Sequence, residues 1–130
     1  NIMAAIGIQQ LKKFPKFAKK RQNLAKQYDS FFLNTSLKFI KHDYEQVVPH
    51  IYTLQIPEHL NLDYIREVLL KKGIQTGLHY QPNHILSLYS NGLEIKVTEK
   101  LSKSLLSIPL HPDLNKKDIQ YVCKCLNALT

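Results

Sequence analysis

Residues 47–80, VVPHIYTLQIPEHLNLDYIREVLLKKGIQTGLHY, carry the pattern that decides the fold. Apolar and polar residues alternate over the first ten, which is typical of a half-buried strand. A helix is predicted over 62–72, with Asn61 as its N-cap and Gly73 as the left-handed residue after its last turn. Residues 74–80 alternate again and predict a second strand. This order of strand, helix and strand places a helix beside a small sheet.

Three further helices are predicted outside this segment. Apolar residues near a 3.6-residue period predict a long helix over 2–33, which Pro15 should kink or divide. A second covers 97–105, with Thr98 as a candidate cap. The last begins at Asn115, whose side chain can form a capping pair with an aspartate three residues later, and ends near Leu129.

Two short strands, at 37–41 and 107–110, complete the sheet, and residues 81–92 form a long connection. The resulting order of elements predicts an α+β fold, with a small, mostly antiparallel sheet and helices packed on one face. We expect residues 1–130 to form a single domain.

The composition fits such a domain, since 130 residues with 44% hydrophobic content can bury a core. No apolar run approaches the roughly 18 residues that a membrane span requires, and no signal peptide is recognisable. We therefore expect a cytoplasmic protein without a membrane partner. Cys123 and Cys125 would point about 200° apart on a helix, so they are interpreted as core or surface residues, not as a disulfide or a metal pair.

The formal net charge of +8 could serve nucleic acid, anionic lipid or a phosphorylated substrate. The basic residues cluster in the first helix, at Lys12, Lys13, Lys16, Lys19, Lys20 and Arg21. No nucleic-acid motif accompanies them, so a solvated lysine-rich face is the favoured interpretation.

The best candidates for chemistry lie in residues 73–84, GIQTGLHYQPNH. His79 and Tyr80 end the second predicted strand just before the long connection, where scaffolds present binding groups. An imidazole beside a phenol can hydrogen-bond a polyol or a phosphate. Pro82 separates His79 from His84 and no acidic residue is close in sequence, which disfavours a metal site.

Three blocks of the sequence resemble the DegT/DnrJ/StrS sugar aminotransferases. They are residues 1–14, NIMAAIGIQQLKKF; residues 73–84 with Tyr89; and residues 98–114, which contain TEKL and LLSIPLHPDL. The blocks follow one another in the family's order over nearly the entire chain.

The resemblance implies a pyridoxal-phosphate enzyme that transfers an amino group, usually from glutamate, to a nucleotide-linked keto-sugar. It implies a fold type I homodimer with its active sites at the subunit interface. His79 and Tyr80 match family residues near the sugar-nucleotide, and His84 belongs to the same motif but ranks below them. His50 and Tyr52 match an aromatic-rich strand, although core packing explains them at least as well.

The resemblance also implies that the catalytic parts lie upstream of the first helix. Residues 1–33 would be an interdomain helix and 37–130 the small α+β domain. The large domain that binds the cofactor, with its Schiff-base lysine, would be absent, a view that the abrupt helical start also suggests. We therefore expect no catalytic, cofactor-binding or metal-binding residue here, and no activity from the chain alone. A related cofactor-dependent sugar dehydratase, a stand-alone nucleotide or nucleic-acid binding module, and a dimerisation fragment remain alternatives.

Overall fold

The computed structural model describes residues 1–90 and 92–130, and within these ranges it confirms the α+β class. Asn91, in the predicted long connection, lies outside the described residues. The elements are α1 (Ile2–Phe32), β1 (Lys38–Phe39), β2 (Tyr52–Gln55), α2 (Leu62–Lys71), a 3-10 turn (Asn83–Ile85), α3 (Lys96–Ser102), β3 (Leu105–Ile108) and α4 (Lys116–Asn127).

The sheet has the order β1-β2-β3, and both pairings are antiparallel. Tyr52 faces Ile108 and Leu54 faces Leu106 across the β2–β3 ladder. Tyr52 and Leu54 are buried while Thr53 is half-buried, which confirms the alternation predicted for this strand. The strand is shorter than predicted because β3 offers only four residues for pairing.

The capping residues predicted for α2 and α4 are confirmed. The Asn61 side chain accepts the Tyr64 N–H at 3.0 Å, and Gly73 follows α2 with a φ of 76°. At α4 the Asp118 carboxylate accepts the Asn115 N–H at 2.8 Å, and the Asn115 side chain accepts the Asp118 N–H in return. These bonds satisfy backbone donors that the first turn of a helix leaves unpaired.

The core lies between the sheet and the helices, where α4 contacts both α1 and α2. Its largest fully buried side chains are Tyr28, Phe32, Leu54, Ile56, Leu69, Leu106, Leu126 and Cys123. Both cysteines of α4 are free and buried, and burial raises the pKa of the Cys123 thiol to about 12. They pack as small apolar residues.

α1 is one continuous helix, and Pro15 does not divide it. A proline removes one backbone hydrogen bond, here the one that would reach the Leu11 carbonyl, and the helical residues on either side continue the ladder. Leu24 and Phe32, in the second half of α1, join the core, whereas Ile2 and Leu11 in the first half are exposed.

Residues 74–80 do not form the strand that their alternation predicts. Only Gly77 pairs, through an isolated antiparallel bridge to Ser107 in β3. The prediction is wrong because the alternating apolar residues of this segment are not all buried on one face. Ile74 is buried, but Leu78 and Tyr80, on the same predicted face, are exposed.

Two element boundaries in the next segment also differ from the prediction. α3 ends at Ser102 because Leu105 already belongs to β3, which pairs with β2. Thr98 is not the cap of α3; it lies inside the helix, and Ile95 occupies the N-cap position without a side-chain bond.

Candidate functional site

Gly77 attaches the segment that carries the predicted site to strand β3. Its N–H donates to the Ser107 carbonyl at 2.9 Å, and the Ser107 N–H donates back to the Gly77 carbonyl at 2.9 Å. The Ser107 hydroxyl also shares a hydrogen bond of 3.1 Å with the Thr53 hydroxyl. Gly77 is therefore held against β3, and through β3 against the middle of the sheet.

His79 and Tyr80 lie immediately beyond this anchor, joined by a cis peptide bond. Their rings meet edge to face, with centroids 4.9 Å apart and planes at 87°. Tyr80 is 73% exposed, whereas His79 is half-buried and its buried Nδ1 atom has no hydrogen-bond partner among the described residues. The structure thus places an imidazole beside a solvent-exposed phenol, as the sequence suggests.

The imidazole of His79 lies directly over the Cα atom of Gly77. A Cβ atom at position 77 would overlap Cε1 of the ring and would stand 2.9 Å from its Nδ1 atom. The close approach of ring and backbone is possible because residue 77 has no side chain.

His84 contacts α3 through its imidazole. Its Nε2 atom lies 2.9 Å from Oε1 of Glu99, and the side chain is only 12% exposed. Glu99 also accepts the Ile95 N–H at 2.9 Å. These two hydrogen bonds, that of His84 first, hold the pKa of the Glu99 carboxyl below its usual range.

Glu99 was not among the residues that the sequence singled out for the site. Fifteen residues separate it from His84, so only the folded chain brings the pair together. Its position in the TEKL block gave no reason to pair it with one particular histidine.

A cleft of about 540 Å³ lies next to the His84–Glu99 pair. Its charged lining residues are Glu58, Lys96, Glu99, Lys100 and Lys103. Lys100 and Glu58 form an ion pair of 2.8 Å across it. Cations and carboxylates are mixed here, so the cleft carries no strong charge of one sign.

Tyr52 belongs to the core. Its hydroxyl donates to Asp29 at 2.7 Å, and the Tyr44 hydroxyl donates to the same carboxylate oxygen at 3.1 Å. Burial, and then the bond to Asp29, raises the pKa of the Tyr52 phenol. The core interpretation of Tyr52 is confirmed, while His50 is exposed and its carbonyl accepts a bond from Arg21.

The basic cluster of α1 divides into two parts. Its five lysines are exposed, as expected of a solvated face. Arg21 instead donates from one guanidinium nitrogen to the carbonyls of His50 at 3.0 Å and Leu110 at 2.9 Å, with Pro49 at 3.5 Å. This arginine joins α1 to the two segments that flank β2 and β3.

The described residues offer no grouping of three histidine, cysteine or acidic side chains that could hold a metal ion. Every lysine of the chain is exposed, and Lys26, Lys71 and Lys100 form surface ion pairs. A lysine that binds a cofactor covalently works in a desolvated site, so these residues alone do not fit pyridoxal phosphate. Within the described ranges, no helix combines the length and apolar character needed to cross a membrane.

Comparison with curated proteins gives relatives that are longer than this chain. A UDP-4-amino-4,6-dideoxy-N-acetyl-beta-L-altrosamine transaminase of Campylobacter jejuni is 36% identical over an alignment of 129 residues, and the match covers 94% of this chain and 34% of the relative. A dTDP-4-dehydro-2,3,6-trideoxy-D-glucose 4-aminotransferase of Saccharopolyspora spinosa is 27% identical, covering 94% and 32%. The chain thus spans about a third of the length of the curated relatives it matches.

Solved structures show the same relation. The fold matches the Streptococcus pneumoniae protein Spr1654, described as a sugar aminotransferase, with a TM-score of 0.88 at 26% identity, over 98% of this chain and 35% of that one. It matches Helicobacter pylori PseC, an aminotransferase involved in the biosynthesis of pseudoaminic acid, with a TM-score of 0.83 at 27% identity, over 96% and 36%. The model of the DegT/DnrJ/EryC1/StrS aminotransferase family matches residues 1–127, and the chain belongs to that family.

Proposed function

We propose that this chain forms the substrate side of the active site in an aminotransferase that acts on a nucleotide-linked keto-sugar. The observation that carries the proposal is the paired presentation of His79 and Tyr80 on the Gly77 anchor. Membership of the aminotransferase family supplies the reaction class. The two curated relatives named above support a nucleotide-linked sugar as the substrate class.

In this proposal His79 and Tyr80 contact the sugar-nucleotide directly. The exposed Tyr80 hydroxyl can hydrogen-bond a sugar hydroxyl or a phosphate oxygen, and the aromatic ring offers a face for stacking. His84 is the third proposed contact. Since its Nε2 atom already faces Glu99, any direct bond to the substrate would use Nδ1.

The amino transfer itself requires residues outside these 130. No lysine here fits a covalent cofactor site, so this chain would supply substrate contacts and not the chemical step. We propose that the lysine, the pyridoxal phosphate and the glutamate-binding groups belong to the remaining two thirds of a full-length homodimer. The chain alone would then bind substrate weakly and transfer no amino group. The proposed substrate contacts would be the same if the full-length protein were instead a sugar dehydratase that uses the same cofactor.

A titration of the 130-residue chain with UDP-N-acetylglucosamine, followed by NMR, tests the substrate proposal. We expect the resonances of His79 and Tyr80 to shift, with an affinity that falls about fivefold or more in H79A or Y80A, as for the loss of one hydrogen bond or stacking contact. H59A, at an exposed histidine remote in sequence, is the matched control and should bind like the wild type.

The same samples discriminate the main alternative. A short DNA duplex should leave the resonances of residues 79 and 80 unchanged. Shifts confined to the lysines of α1 on adding DNA, with a steep dependence on salt, would instead favour a nucleic-acid binding module. Saturating changes far from residues 77–84 on adding the UDP-sugar would overturn the proposed contacts.

A further inference from the structure

We infer that Gly77 is a positioning residue that seats the imidazole of His79. The three atoms nearest to the place where a Cβ atom would stand are all atoms of the His79 ring, with Nε2 at 3.2 Å and the other two closer. A side chain at position 77 would overlap the His79 ring, so the ring could not stay in its present place.

The requirement for glycine here concerns space and not backbone conformation. Gly73 and Gly92 have φ angles of 76° and 77°, which disfavour any residue with a side chain. Gly77 does not have a positive φ, so its backbone lies outside the left-handed region that favours glycine. The substitution to alanine therefore isolates one variable, the room above the Cα atom.

The two backbone hydrogen bonds that join residue 77 to Ser107 do not require residue 77 to be glycine. Both bonds between residue 77 and Ser107 use backbone groups, and alanine retains both groups. The segment should stay attached to β3 when Gly77 is replaced. The ring is the part that must move, since an imidazole can rotate about its side-chain bonds and the paired backbone cannot.

Within residues 1–90 and 92–130, no hydrogen bond from the Nδ1 atom of His79 holds the ring where it lies. This atom is buried, and the part of the chain that the structure describes offers it no partner. The ring is therefore located by shape, namely by the space above Gly77 and the edge-to-face contact with Tyr80. A Cβ atom at 77 removes the first of these constraints and should disturb the second.

The substitution G77A in the full 130-residue chain tests the inference by NMR. We expect the His79 ring resonances to shift and the nuclear Overhauser contacts between His79 and Tyr80 to weaken. The amide of Ser107 should remain protected from exchange. G7A is the matched control, because Gly7 lies on the exposed part of α1 with no atom of the described residues within 4 Å of its added Cβ, and it should leave His79 unchanged.

A double-mutant cycle separates positioning from a general structural role. In the H79A background, G77A should cause no further loss of stability and no further change in the Tyr80 ring resonances. Should G77A unfold the chain, the double variant H79A/G77A should fold. Wild-type His79 resonances and contacts in G77A would overturn the inference, as would a G77A defect that persists without the histidine.

The consequence for binding rests on the proposed function. G77A should then weaken UDP-N-acetylglucosamine about as much as H79A, roughly fivefold for the loss of one hydrogen bond. The ring measurements need no ligand, so the two ideas can fail separately. A wild-type chain that ignores the UDP-sugar contradicts the proposed function, whereas unmoved His79 resonances in G77A contradict the role of Gly77.

Discussion

The two halves of α1 have similar apolar content but different environments. In the second half, Leu24, Ala25, Tyr28 and Phe32 are buried against the sheet and α4. In the first half, large apolar side chains are exposed, namely Ile2, Met3, Ile6, Ile8, Leu11 and Phe14. The comparison teaches that apolar residues with a helical period predict which face of a helix can be buried. Whether that face is buried depends on whether another element packs against it.

The largest expected effect comes from truncating Phe32 in the packed half, with Phe14 in the exposed half as the matched comparison. Phe32 is 1% exposed and contacts the rings of Tyr28 and Tyr52, so F32A should lower the free energy of unfolding by about 3–5 kcal/mol. Phe14 is 52% exposed, and F14A should change it by less than about 0.5 kcal/mol. Urea denaturation followed by circular dichroism measures both, and equal losses would abolish the distinction between the halves.

A smaller loss is expected from D29A, which removes the polar contact of the packed half. Tyr44 and Tyr52 are buried and both donate to Asp29, so its removal leaves two hydroxyl groups unsatisfied. We expect a loss of about 1–3 kcal/mol. D113A, at an exposed aspartate, provides the control and should stay within about 0.5 kcal/mol of the wild type. A neutral D29A would mean that water replaces the carboxylate.

The smallest effect on folding, but a clear one on association, is expected from charging the exposed half. The apolar stripe that includes Ile6 and Leu11 should drive self-association at high concentration, because exposed apolar patches of this kind favour burial. The variant I6K/L11K should weaken association about tenfold or more, since each side chain contributes roughly 1.5 kcal/mol on burial. Sedimentation equilibrium measures this, and a wild-type chain that stays monomeric at high concentration would contradict it.

The sequence predicts the parts of the fold that depend on local chemistry. Asn61, Gly73 and the Asn115–Asp118 pair act within a few residues, and the structure confirms each. Residues 74–80 show where such reasoning fails. Their alternation is typical of a strand, but a strand needs a partner of matching length, and β3 offers this segment only Ser107.

The candidate site divides in the same way. The adjacency of His79 and Tyr80 is local and could be predicted, and the structure shows their rings in contact. The partnership of His84 with Glu99 and the seating of His79 over Gly77 depend on how the chain folds back on itself. No spacing rule could have identified either contact before the structure was known.

Arg21 stands where the packed and exposed halves of α1 meet. Its guanidinium binds carbonyls on two separate segments, at Pro49–His50 and at Leu110, which lie next to β2 and β3. The helix runs unbroken from there to Ile2, a distance of about 28 Å at 1.5 Å per residue. A tilt of the exposed half of α1 would therefore act through Arg21 on the segments that flank β2 and β3, and β3 is the strand to which Gly77 is bridged.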